Sequence, residues 1–153
     1  MSRKEALSGL LALYSLDAFV KKYMKHHLKA GQPQKIAKGH IILERLDNKG
    51  AALGFLADKE HLVKAASTGV LCLMGTKLYM VSGQKDHTLE TVGLTLLTAG
   101  GLGNVSDRLA QGYVDDYLRI PCKHEGISRV VFNLADVFVV SGAALSAVAG
   151  FFE

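Results

Sequence analysis

The 153-residue sequence contains no tryptophan, two prolines and two cysteines. Cys72 and Cys122 cannot build a disulfide framework, and neither C-x-x-C nor any other zinc-type spacing occurs. So few prolines, with no internal repeat, exclude collagen-like and Pro-rich classes. Charge is also missing over long runs. Residues 6–20 carry only Asp17, residues 65–84 only Lys77, residues 91–106 none, and residues 130–152 only Asp136. A soluble amphipathic helix shows charge every three or four residues on its outer face. A bilayer-spanning helix needs about 20 mostly apolar residues.

The residues that are present exclude disorder: 49% are hydrophobic and 21% charged, with mean hydropathy +0.20. The net charge of +4 and pI near 9.1 suit nucleic acid or anionic lipid. No basic helix with interleaved aromatics and no nucleic-acid motif is found, so no nucleic-acid partner is expected. Ser2-Arg3-Lys4 before an apolar run resembles the start of a signal peptide. The run contains Asp17, ends in Lys21, Lys22 and Lys25, and lacks an A-x-A site, which favours an uncleaved first span.

The expected architecture is an all-α integral membrane four-helix bundle with a small β-containing lobe. It forms a single domain over residues 1–153, with spans at about 6–24, 63–84, 88–106 and 130–152. The lobe draws on the connections at residues 21–64 and 107–129. Residues 40–47 (HIILERLD) suit a short strand, between turns at Gly31-Gln32-Pro33 and Asn48-Lys49-Gly50. Pro121 and Gly126 break regular structure in the later connection. The competing reading is a soluble α domain with buried core helices.

Carboxylates inside apolar spans are costly and usually face a polar site. Asp17 has Lys21 four residues on and can pair with it on one helix face. Asp136 has no basic residue within a turn, and Asn133 lies three residues before it. A second polar cluster, Gly103-Asn104-Val105-Ser106-Asp107-Arg108 and Gly112-Tyr113-Val114-Asp115-Asp116-Tyr117, follows the third apolar stretch. A solvated loop is the plain reading for Asp107, Asp115 and Asp116. In an antiparallel bundle, however, the end of span three and the start of span four share one membrane face, so Asp116 and Asp136 can meet. Two close carboxylates in a poorly hydrated site share a proton, one able to activate water and the other to donate to a carbonyl. No Ser/His/Asp, Cys/His or metal-ligand arrangement competes with this pair.

These residues resemble the lipoprotein signal peptidase (signal peptidase II) family. Gly103-Asn104-x-x-Asp107-Arg108-x-x-x-Gly112-x-Val114-x-Asp116-Tyr117 is similar to its GNxxDRxxxGxVxDF block. Phe132-Asn133-Leu134-Ala135-Asp136 is similar to FNxAD, residues 48–54 to NxGAAFG, and Asp17-x-x-x-Lys21 to DQxxK. The resemblance implies a membrane aspartyl endopeptidase that cleaves bacterial prolipoproteins just before the diacylglyceryl-modified cysteine. It implies Asp116 and Asp136 as catalytic acids, supported by Asp17, Lys21, Asn48, Gly50, Asn104, Asp107, Arg108 and Asn133. It further implies a multi-pass protein of the bacterial inner membrane, a β-lobe and active site at the extracytoplasmic face, and no metal or organic cofactor. The expected partners are the lipid-modified prolipoprotein and membrane phospholipid, and the expected state is a monomer. The alternative is a non-catalytic relative that binds lipidated peptides or anionic lipid, a reading to which the extra acid Asp115 and the moderate polarity of the spans lend weight.

Overall fold

A computed structural model of the chain describes residues 1–50 and 58–152. Its elements are α1 (Arg3–His27), β1 (Gln34–Ile36), a 3-10 turn (Ala37–Gly39), β2 (Ile41–Asn48), α2 (Glu60–Val81), α3 (Thr88–Gln111), β3 (Val114–Arg119), α4 (Glu125–Ser128), β4 (Val131–Phe132) and α5 (Leu134–Phe152). Helix α1 opens with a capping box. The Ser2 side chain accepts the Glu5 N–H, and the Glu5 carboxylate accepts the Ser2 N–H. Helix α3 closes at Gly112, whose φ of +89° is the left-handed geometry that favours glycine.

Helix α3 packs against α1, α2 and α5. Its contact with α5 is backbone to backbone, because small residues line both sides. A Cβ added at Gly100 would run into the Ala135 carbonyl, and one at Gly142 would meet Gly93 O and Leu97 N at 2.5 Å. This close approach sets the last turns of α3 beside the first turn of α5.

The strand expected over residues 40–47 forms as β2, and the two connections unite in one antiparallel sheet of order β1-β2-β3-β4. Leu46 pairs with Asp116 and Asn48 with Val114, after an irregularity between Leu43 and Leu46. Two boundaries differ from the sequence reading. The third apolar stretch, expected to end near residue 106, continues as helix to Gln111, so Asn104, Asp107 and Arg108 stand on α3 rather than in a segment leaving it. The last helix starts at Leu134, and the residues before it form β4 and a capping Asn133.

The helices leave many apolar side chains outside, among them Leu11 and Phe19 on α1, Leu73 and Met80 on α2, and Val140 and Phe151 on α5. Among the described residues one helix, Leu134–Phe152, is long and apolar enough to cross a bilayer by composition alone, with hydropathy 1.8. Of the residues similar to NxGAAFG, 51–54 lie outside the described part.

Candidate active site

Asp136 occupies the first turn of α5, and every N–H that this helix start leaves without a helical partner is met by a side chain. Asn133 and Asp136 cap each other reciprocally. Asn133 Oδ1 accepts the Asp136 N–H at 2.9 Å, and Asp136 Oδ2 accepts the Asn133 N–H at 3.0 Å. Leu134 N–H donates to the Tyr117 hydroxyl oxygen at 3.0 Å, and Ala135 N–H donates to Asp17 Oδ1 at 2.9 Å. Helix α1 and strand β3 therefore hold the start of α5 in place. The sequence reading put Asn133 and Asp136 on one helical face. They do face each other, but across a cap rather than along a turn of helix.

Asp116 projects from β3 and is 3% exposed. Its Oδ2 accepts from Asn48 Nδ2 at 2.9 Å and its Oδ1 from Asn133 Nδ2 at 2.7 Å. Asn133 thus touches both acids and fixes their relation. Asn104 completes the frame. Its Oδ1 accepts from Lys21 Nζ at 3.0 Å and from Asn133 Nδ2 at 3.1 Å, which turns its own Nδ2 to Asp136 Oδ1 at 2.8 Å.

Lys21 is 3% exposed and lies 2.8 Å from Asp17 Oδ2 and 2.9 Å from Asp107 Oδ2. With the bond to Asn104, its ammonium stands among two carboxylates and an amide oxygen. Asp107 is therefore a half-buried partner of Lys21 on α3 and not a solvated loop acid. Arg108 donates to Gly50 O at 2.9 Å and Asn104 O at 3.2 Å, and Gly50 N–H donates to Asn48 Oδ1 at 3.0 Å. The turn after β2 is tied in this way to the end of α3, and Asn48 is aimed at Asp116.

The cluster holds four acids (Asp17, Asp107, Asp116, Asp136) against two cations (Lys21, Arg108). Burial, with the nearby Asp136 charge adding to it, pushes the Asp116 carboxyl up to about 6, against the opposing pull of Asn48 and Asn133. Burial also keeps the Tyr117 phenol protonated well above its usual range. Asp115 does not join the pair. It follows the strand alternation to the opposite face and meets Lys25 at 3.1 Å.

A cavity of about 680 Å³ opens between α2, α3 and α5. Asn48, Asn104, Arg108, Asp116 and Asp136 line one part, and side chains such as Val63, Leu71 and Val140 line the rest. This is a largely apolar groove with two acids at its polar end. Two acids sharing one proton at such a place can polarise a carbonyl and take a proton from water.

All the site residues expected from the sequence fall in this one network. Sequence reasoning missed the Tyr117 hydroxyl as a helix cap and the partner of Asp115. Tyr117 stands where the similar motif block carries Phe, and that was the available signal. Lys25 has no local signal, because it lies 90 residues from Asp115.

Residues 10–152 match the family described as Signal peptidase (SPase) II. The chain is 31% identical over 140 residues to the lipoprotein signal peptidase of Streptococcus pneumoniae, covering 92% of this chain and 88% of that one. It is 35% identical over 138 residues to that of Halothermothrix orenii, covering 89% and 88%. Its fold is similar to a bacterial membrane enzyme solved by the in meso method at 2.3 Å resolution, with a TM-score of 0.80 at 21% identity, covering 97% of this chain and 88% of that chain. A second such structure, at 1.9 Å, gives a TM-score of 0.78 at 21% identity, covering 96% and 92%. With the family matched over residues 10–152, and relatives at 31% and 35% identity over most of the chain, the chain belongs to the signal peptidase II family.

Proposed function

We propose that the chain removes the signal peptide of diacylglyceryl-modified bacterial prolipoproteins as an aspartic endopeptidase, with Asp116 and Asp136 as the reacting pair. The observation that carries the reading is Asn133, which hydrogen-bonds both carboxylates and holds them at the polar end of one groove. Asp116, buried beside an excess of negative charge, keeps the shared proton and donates it to the scissile carbonyl oxygen. Asp136, at the positive end of α5 where negative charge is favourable, takes a proton from the attacking water. Asp136 then gives the proton it took from water to the leaving nitrogen, a hydroxyl of the tetrahedral intermediate returns its proton to Asp116, and the C–N bond breaks to leave a carboxylic acid and an amine. Asn48 and Arg108 line the groove at the acids and are placed to contact the substrate backbone.

The same proposal takes α1, α2, α3 and α5 as four membrane spans of a single domain in the bacterial inner membrane, with the sheet at the extracytoplasmic face. The apolar side chains left outside the helices support it, because a water-soluble chain rarely exposes so many. Two charges in the body of α1, Asp17 and Lys21, are paired and turned inward, 1% and 3% exposed. The lipid-modified precursor then enters sideways, its acyl chains remaining in lipid against the apolar part of the groove. The enzyme acts as a monomer in contact with phospholipid. The alternative of a non-catalytic binding relative loses one of its two supports, because Asp115 is turned to Lys25 and away from the pair.

The test is cleavage of a diacylglyceryl-modified precursor by the purified chain, with products weighed by mass spectrometry. One cut immediately before the modified cysteine supports the reading. Binding of the precursor without any product over hours overturns it.

A further inference from the structure

We infer that Lys25 and Asp115 form a clasp on the back of β3, which positions Asp116 and neutralises the acid beside it. The inference rests on the reading of Asp116 as a reacting acid. Asp115 and Asp116 are consecutive residues of a strand, so their side chains leave opposite faces. Asp116 turns to Asn48 and Asn133, and Asp115 turns to the end of α1. There Lys25 Nζ donates to Asp115 Oδ2 at 3.1 Å, to Gln111 Oε1 at 2.8 Å and to the Tyr113 hydroxyl at 3.0 Å. The ammonium also stands 4.9 Å from the centre of the Tyr113 ring. Gln111 Nε2 donates to the same Asp115 Oδ2 at 2.8 Å. One point thereby joins the last turn of α1, the last residue of α3 and the start of β3.

The compensation is concentrated. Among the described residues, the buried Asp115 Oδ1 has no hydrogen-bond partner, and the carboxylate is balanced there through Oδ2, by Lys25 and Gln111. Without Lys25 the site would hold a poorly solvated anion one residue from Asp116. The other charges facing Asp116 come from Lys21 on α1, with Asp17 and Asp107 behind it, from Arg108 on α3 and from Asp136 on α5. Arg45 of β2 lines the crevice that Lys21, Lys25, Asp115 and Asp116 share. Lys25 is the cation bonded to Asp115, so it sets how much of that charge Asp116 feels.

The test is the pH profile of kcat/KM on a diacylglyceryl precursor for the purified full chain, Lys25→Met, Asp115→Asn and the double variant. Asp116 sets the alkaline limb, since it loses the shared proton there. Lys25→Met exposes Asp116 to an unbalanced anion and moves that limb up by about half a unit, with kcat down at least about fivefold. Asp115→Asn leaves an unbalanced cation and moves the limb down by a similar amount. The double variant returns the limb to the wild-type position and recovers most of kcat. A purely structural role predicts no opposite shifts and no recovery. Asp115→Asn is nearly isosteric, so its shift is readable even where Lys25→Met fails to fold. Limbs that stay in place, or move the same way in both single variants, overturn the clasp. Asp116→Asn is run alongside: if it is inactive while the limbs stay fixed, the clasp alone falls, and if it retains turnover, the paired-acid reading falls with it.

Discussion

Replacing Asn133 by Ala removes a side chain that bonds the Asp116 carboxylate and caps the Asp136 N–H. Three bonds go with it: Nδ2 to Asp116 Oδ1 at 2.7 Å, Nδ2 to Asn104 Oδ1 at 3.1 Å, and the cap from the Asp136 N–H to Oδ1 at 2.9 Å. The cap contributes about 1 kcal/mol to α5. The bond to a carboxylate contributes about 1.5–3 kcal/mol, and the bond to Asn104 about 1 kcal/mol. The three share atoms and are not additive, so a stability loss of about 3 kcal/mol is expected. Catalysis feels the loss of the donor on Asp116 most directly, since that carboxyl is then free to turn from its working position. If the whole of that bond is needed in the transition state, kcat falls by about 10- to 100-fold. Asn133 is 0% exposed and lies behind the acids, so KM changes little. Asn133→Asp separates the two roles. It keeps an oxygen for the Asp136 N–H, but it sets a carboxylate against Asp116 in place of a donor. It is therefore expected to retain more of the helix cap than Asn133→Ala, yet lose at least as much activity. The assay is initial-rate cleavage of a diacylglyceryl precursor by purified variants, with thermal melts in the same detergent. Wild-type kcat in Asn133→Ala would refute the role given to this residue.

Three further outcomes follow from the same geometry. The kcat/KM profile on the alkaline side falls with a midpoint near 6, because Asp116 loses its proton there, and a flat profile from 5 to 8 would contradict this. The folded Asp116 carboxyl lies above its unfolded value of 3.8, so the native state binds more protons between about pH 4 and 6 and stability declines as pH rises through that window. The decline is about 3 kcal/mol, and a melting series of Asp116→Asn against wild type should show it missing. Gly103→Ala puts a Cβ 2.5 Å from Oδ2 of Asp17, a carboxylate held by the Ala135 N–H at Oδ1 and by Lys21 at Oδ2, so melting temperature and turnover both drop. Gly69→Ala has nothing among the described residues within 4 Å of the added methyl and is the neutral comparison.

How far the sequence was readable depends on the range of the interaction. Charge-poor stretches showed where the long helices lie, because the exclusion of charge is a property of each segment. The strand over residues 40–47 was visible in its own β-branched composition. The pairing of Asp17 with Lys21 was visible because both are on one helix. The motif blocks marked Asn48, Asn104, Arg108 and Asn133 as relevant, but not what each one touches. That Asn133 caps α5, or that Asp17 accepts an N–H from Ala135, depends on contacts between elements far apart in the chain. Asp115 shows the same limit. Beside Asp116 in sequence it suggests a third acid in the site, whereas strand alternation and Lys25 take it out. The end of α3 was misjudged at residue 106, because polar residues that serve a buried network look the same as residues leaving a helix.

Cleavage requires both Asp116 and Asp136 if the two acids act as a pair. The decisive measurement is single-turnover cleavage of a diacylglyceryl precursor by purified Asp116→Asn and, separately, Asp136→Asn, each shown by melting to be folded and by pull-down to bind the precursor. The account predicts that each variant binds and neither cleaves, with turnover down by at least about four orders of magnitude. Substantial cleavage by either folded variant would contradict it.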